Sequence, residues 1–336
     1  MPSAASLIVA LTLAAGGATA AGAHRRAARA AITHPPEGRL IALPDGRRVH
    51  AVTRGSGPDL VLIHGASGSS RDWTFRFVGM IEGRYRVTAF DRPGMGWSDQ
   101  PRPGLDHPFC NEGASPAEQA AMLREAARLI GLQRPILLGH SYGASVALAW
   151  ALDDPQGTAA VVDVAGATMP WPGRLGRLYR LNASRLGGLL LPPLLAAFVP
   201  PALVHRAIAA TFAPDPVPPG YAAHFGPDLT LRLRSLRSNA RQVASLRPHL
   251  VAMAARYPAI TVPVEIIHGD ADPTVPLEVH SRPLCRLIPT ARLTVLPGIG
   301  HMPHHSAPAA VIAAIDRARD RAGLRTRIAP VPADPT

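Results

Sequence analysis

Apolar positions in this chain come in short, nearly unbroken blocks that alternate with stretches of helical spacing. The blocks at 59–63, 85–90, 135–138, 159–164, 264–267 and 292–296 have no clear polar face, the pattern of parallel strands buried between two layers. Ahead of them, 39–42 and 48–53 flank Pro44-Asp45-Gly46, a tight-turn signal that predicts a hairpin. The clearest helix spans Ser115 to Ile130, where Ser115 and Glu118 form a capping-box pattern and Pro116 takes the first helical position. Strands alternating with helices predict an α/β architecture, a mostly parallel, doubly wound sheet.

The rhythm fails between 167 and 258, which predicts a helical lid inserted into a core made of 35–166 and 259–323. Within the insertion the 19-residue run from Leu186 to Val204 carries no charge. Pro192-Pro193 and Pro200-Pro201 are expected to break it into short helices rather than leave a membrane span. Residues 324–336, rich in proline at the end, are expected to form a frayed tail. Residues 1–34 read as a hydrophobic segment plus linker: Ala4 to Ala23 is uncharged over about the length that crosses a bilayer. Membrane association through residues 4–23 is the expectation, with Arg25, Arg26 and Arg29 favouring a cytoplasmic place for the domain behind them. Small residues at Ala18-Thr19-Ala20 and Ala21-Gly22-Ala23 leave export after cleavage as the alternative.

Composition narrows the class. A hydrophobic fraction of 47% with 17% charged residues excludes a disordered chain. The net charge of +12 comes from arginine alone, since the chain has no lysine. Those arginines are scattered and lack interleaved aromatics, so no nucleic-acid partner is expected. Cys110 and Cys285 lie far apart without metal-ligand spacing, and neither a metal nor a cofactor is called for.

The chemistry is carried by loops that follow the strand blocks. Gly139-His140-Ser141-Tyr142-Gly143 lies between the strand 136–138 and a helical run from Ala144, the strand-turn-helix setting of a G-x-S-x-G nucleophile elbow. A serine hydroxyl is a poor nucleophile until a base held by a carboxylate accepts its proton. In the order this elbow uses, the acid comes next and the histidine last. Asp272 follows the strand at 264–267, with Asp270 and, less suitably, Asp163 as rivals. His301 follows the last strand after a flexible Gly300; His304 and His305 are its rivals, expected to be surface or helix-start residues without a third metal ligand nearby. An acyl-transfer site also needs two backbone N–H donors for the developing oxyanion. Ala66, in the loop His64-Gly65-Ala66-Ser67-Gly68, and Tyr142 are positioned to supply them. That loop has neither phosphate-binding glycine spacing.

Five motifs in order, His64-Gly65, Asp91 to Ser98, Gly139 to Gly143, Gly269 to Asp272 and Gly300-His301, resemble the α/β-hydrolase superfamily in its lidded esterase, lipase and haloperoxidase-like branch. The similarity spans about Pro36 to Gly323. It implies hydrolysis of a carboxylic ester through an acyl-enzyme, with a small-molecule substrate whose apolar acyl or alcohol group is favoured by the Leu-, Pro- and Ala-rich insertion. Epoxide hydrolases and haloalkane dehalogenases of the superfamily carry aspartate where this chain has Ser141. The same residues acting on a lactone, an amide or a carbon–carbon bond, perhydrolysis, and a non-catalytic binding role on the same fold are the alternatives.

Overall fold

The computed structural model describes residues 4–173 and 175–324. Strands β1 (Arg39–Ala42) and β2 (Arg48–Arg54) form the expected hairpin, with Gly46 at φ +87 in its turn. They are followed by β3 (Asp59–Ile63), β4 (Arg86–Phe90), β5 (Ile136–His140), β6 (Ala160–Val164), β7 (Val264–Gly269) and β8 (Ala291–Leu296). All eight join one sheet in the order β1-β2-β4-β3-β5-β6-β7-β8. The two pairings that involve β2 are antiparallel and the other five are parallel. β3, β5, β6 and β7 are buried along their whole length, which is why their sequences show no polar face.

Successive side chains of the strands feed two cores. Val61, Ile63, Leu137 and Val161 pack under Val146 and Trp150, while Leu60, Leu62, Leu138 and Val162 pack under Trp73, Phe77, Val311 and Ile315. The helices flanking the sheet are α2 (Arg71–Thr74), α3 (Phe77–Ile81), α4 (Pro116–Leu129) and α5 (Tyr142–Asp153), with α12 (Ser281–Leu287), α13 (Pro303–Ser306) and α14 (Pro308–Arg321) after β7, while α1 (Ala4–Thr33) precedes the sheet and packs on the insertion. The predicted capping box opens α4: Glu118 N–H donates to Ser115 Oγ at 3.1 Å and Ser115 N–H to Glu118 Oε2 at 2.8 Å.

Between β6 and β7 the chain runs through α6 (Arg177–Ala183), α7 (Arg185–Phe198), α8 (Pro201–Phe212), α9 (Tyr221–Phe225), α10 (Pro227–Thr230) and α11 (Leu233–Ala254). Two local expectations are corrected here. Pro200-Pro201 does separate α7 from α8, but Pro192 and Pro193 lie inside α7, which continues through them. Proline removes intrahelical donors there; burial of Pro192 and Ala196 and tight packing on α1 hold the helix together. Residues 24–33, expected to be linker, instead extend the N-terminal segment as one helix.

α1 lies along α7 so closely that a Cβ on Gly22 would sit 3.0 Å from the Ala197 Cβ. The Arg26 guanidinium donates to the Leu195 and Val199 carbonyls at 3.1 and 2.9 Å, capping the C-terminal end of α7, and Arg29 pairs with Asp228. Among the described residues no single helix is long and apolar enough to cross a membrane. The expected tail lies outside the described residues, Leu324 apart.

Candidate active site

Strand β5 delivers Ser141 to a sharp turn. Its backbone sits at φ 53, ψ −120, a conformation that is strained for any residue with a Cβ and therefore needs support on both sides. The two motif glycines give it room. A Cβ on Gly139 would meet the Gly143 carbonyl oxygen at 2.4 Å, and one on Gly143 would meet the Ile63 carbonyl oxygen at 2.2 Å. The chain enters α5 immediately after the serine, so the positive end of that helix faces the hydroxyl.

Three loops at the carboxyl ends of β5, β7 and β8 meet at this turn. Ser141 Oγ lies 3.0 Å from His301 Nε2, and His301 Nδ1 lies 2.7 Å from Asp272 Oδ2. All three residues are buried. Asp272 is held at both oxygens: Thr274 and Val275 N–H groups donate to Oδ1 at 2.8 and 2.9 Å, and His268 Nε2 stands 3.2 Å from Oδ2. Burial opposes its ionisation, but hydrogen bonds from His268 and His301 outweigh that and hold the carboxyl well below its usual range. A fixed carboxylate keeps the proton of the imidazole on Nδ1, leaving Nε2 free to accept from the serine.

The rivals for the acid occupy other places. Asp270 Oδ1 accepts from Gly298 N–H at 2.7 Å and so braces the loop that leads to His301. Asp163 is buried in β6, and burial pushes its carboxyl up to about 7.

The loop after β3 packs against the elbow, a Cβ on Gly65 falling 3.0 Å from the Ser141 Cβ. Its brace escaped sequence analysis. His64 Nδ1–H donates to the Gly65 carbonyl at 2.8 Å and its Nε2 accepts from Arg92 N–H at 2.9 Å, so burial keeps it neutral, pushed down to about 4. The buried Arg92 side chain donates to the same Gly65 carbonyl at 3.0 Å and lies 4.3 Å over the Tyr142 ring. Asp91, which opens the motif Asp91 to Ser98, accepts from Ser70 and Trp97 N–H groups and pairs with His50. From the insertion, Asn239 Oδ1 takes the Ser67 N–H at 2.7 Å and Thr230 donates to the Ser67 carbonyl at 2.7 Å. Asp215 accepts from Gly300 N–H at 2.8 Å, so the insertion touches both the early loop and the histidine loop.

A second histidine cluster lies one ring away. His304 and His305 do begin a helix, but they are not surface residues: His304 is fully enclosed, and a third potential metal ligand, Asp72 of α2, stands beside them. Their Nε2 atoms lie 3.0 and 2.9 Å from the Asp72 oxygens, and the Tyr221 hydroxyl donates to Asp72 at 2.8 Å. That carboxylate takes three donors, two on Oδ1 and one on Oδ2, the arrangement of a hydrogen-bonded network. The signal that could have found it is the pairing of Asp72 with the loop after β8, which no local spacing encodes.

With this geometry in place, the family model described as the alpha/beta hydrolase family matches residues 60–314, and the chain belongs to that family. An uncharacterized protein of Mycobacterium tuberculosis is 29% identical over 299 residues, covering 82% of this chain and 80% of its own. A 2-hydroxy-6-oxononadienedioate/2-hydroxy-6-oxononatrienedioate hydrolase of Cupriavidus pinatubonensis is 25% identical over 278 residues, covering 81% and 91%. Among solved structures, an esterase from Rhodococcus sp. ECU1013 superposes with a TM-score of 0.63 at 23% identity, over 85% of this chain and 99% of that one, a likeness of fold.

Proposed function

We propose that this hydrolase-family chain cleaves carboxylic esters through an acyl-enzyme on Ser141. What supports the reading is the unbroken hydrogen-bonded line from Ser141 Oγ through His301 to Asp272, at 3.0 and 2.7 Å, beside a strained serine. In the first half-reaction His301 Nε2 accepts the hydroxyl proton as Ser141 Oγ attacks the carbonyl carbon, and the Ala66 and Tyr142 N–H groups receive the oxyanion. The imidazolium then protonates the leaving alcohol. In the second half water repeats the path, with His301 as its base, and releases the acid.

The insertion acts as the lid that selects substrate, because it contacts the loops of Ala66 and His301 and is apolar through α7 and α8. An apolar acyl or alcohol group fits it best. Residues 4–23 hold the enzyme at a membrane, where such esters collect. A chain-length series of p-nitrophenyl esters tests the reading. Rising kcat/KM from acetate toward longer acyl chains is the expected result; a preference for the shortest chain overturns the apolar-lid argument. The name of the Cupriavidus relative favours a second reading, a dicarboxylate keto acid as substrate. Turnover of that compound with none of the esters would replace the first reading by the second.

A further inference from the structure

The insertion turns an apolar, basic face to solvent. On α7, Leu186, Leu190, Leu194 and Phe198 recur every fourth residue and are 75%, 62%, 48% and 56% exposed, with Leu203 of α8 at 55%. Such a row of large side chains on a single helix face exceeds the scattered exposure normal for soluble surfaces. Gly187, Gly188, Pro192 and Ala196 of α7 are buried, and α1 runs beside the row, meeting Ala197 and bordering Leu190 and Leu194 at its edge. Together α7 and α8 are apolar enough to enter a membrane, yet they bend by 106° at the break between them, a shape that lies in an interface rather than crossing it.

Charge selects the occupant. From Val164 to Pro214 the chain has no aspartate or glutamate, and Arg177, Arg180, Arg185 and Arg206 are exposed around the row. A second copy of this chain would bring the same cations against one another, whereas an anionic headgroup layer would complement them. We propose that α7 and α8 dock on an anionic lipid bilayer surface, with Leu186, Leu190, Leu194, Phe198 and Leu203 sunk below the headgroups and the flanking arginines among the phosphates. This contact is separate from any anchoring by residues 4–23 and does not depend on the ester-hydrolase reading. It also reaches the site: α8 leads directly to Asp215, which holds Gly300 next to His301, so a shift of the docked helices is felt at the base.

The test uses the full-length chain with Cys110→Ser and Cys285→Ser, carrying one polarity-sensitive fluorophore at Leu194→Cys or, as the control, at Asp320→Cys on α14. Each is mixed with vesicles of phosphatidylcholine, with or without one-third phosphatidylglycerol, containing doxyl-labelled lipid as a depth-sensitive quencher. The expected result is a blue shift and at least twofold quenching at position 194, none at 320, and a midpoint at least about tenfold lower in lipid with phosphatidylglycerol, given about fivefold per arginine at the surface. Three results overturn the proposal. In one, the protein floats with vesicles while position 194 stays unquenched. In another, quenching is equal in neutral lipid. In the third, a blue shift without lipid grows with protein concentration, which assigns the row to a second copy.

Discussion

Two carboxylate–histidine clusters draw on histidines three residues apart along the chain, and only one is joined to a serine hydroxyl. Asp272 holds His301 through Nδ1, which leaves Nε2 on Ser141 Oγ at 3.0 Å. Asp72 instead holds His304 and His305 through Nε2, and the far nitrogen of His304 is buried without a hydrogen-bond partner. The residue types match; the ring nitrogen turned to the carboxylate decides what the other can do. The two are linked, because the His140 ring lies 4.6 Å from His304 and 4.9 Å from His301, and its Nε2–H donates to the His301 carbonyl at 2.8 Å. The second cluster therefore props the loop that carries His301.

That contrast breaks most sharply at the first cluster. Ser141→Ala or His301→Ala is expected to lower kcat by about 10⁴- to 10⁶-fold with an unchanged melting temperature, and Asp272→Asn by about 10²- to 10⁴-fold, measured on the best ester found. Near-additive losses in the double variant would show that the residues do not act as one unit. Next in size, Gly65→Ala should cost about ten- to a hundredfold in kcat, because its Cβ would come 3.0 Å from both Ser141 Cβ and His140 Nδ1 and push the Ala66 donor away.

At the second cluster the sign reverses, with stability lost and chemistry largely kept. Asp72→Asn should cost about 1–3 kcal/mol, read as a melting temperature lower by several degrees, while kcat falls less than about tenfold. A loss of activity as large as that of Asp272→Asn would erase the distinction between the clusters. A further effect is in pH. Burial pushes His64, His280 and His304 down to about 4 each, so between pH 6.5 and 4 the unfolded chain binds more protons than the folded one and stability falls on acidification. Asp72, held well below the usual carboxylate range by His304 and His305 despite burial, adds a loss of the same sign below about pH 4. Denaturant melts at pH 6.5 and 4 should show that fall, and His304→Gln should shrink it without abolishing it, since His64, His140, His224 and His280 are lowered by burial as well.

Much of this was legible in sequence because it is local. The unbroken apolar blocks gave strand positions within a residue or two, since a parallel strand buried on both faces has no polar side to confuse it. Ser141 was legible from its two glycines, whose need is set by contacts within four residues and the adjoining strand. The brace of His64 and Arg92, the grip of His268 on Asp272 and the whole Asp72 cluster were not, because each joins segments brought together only by the sheet order. Pro192 and Pro193 misled for a related reason: their intrinsic cost is real, but packing of α7 against α1, α6 and α11 overrides it.

The most direct test of the central claim is labelling with a fluorophosphonate probe followed by peptide mass mapping. The account predicts one adduct, on Ser141 Oγ, that disappears in Ser141→Ala, slows strongly in His301→Ala and forms at the normal rate in Asp72→Asn. Labelling that persists in Ser141→Ala, or maps to another residue, would contradict it.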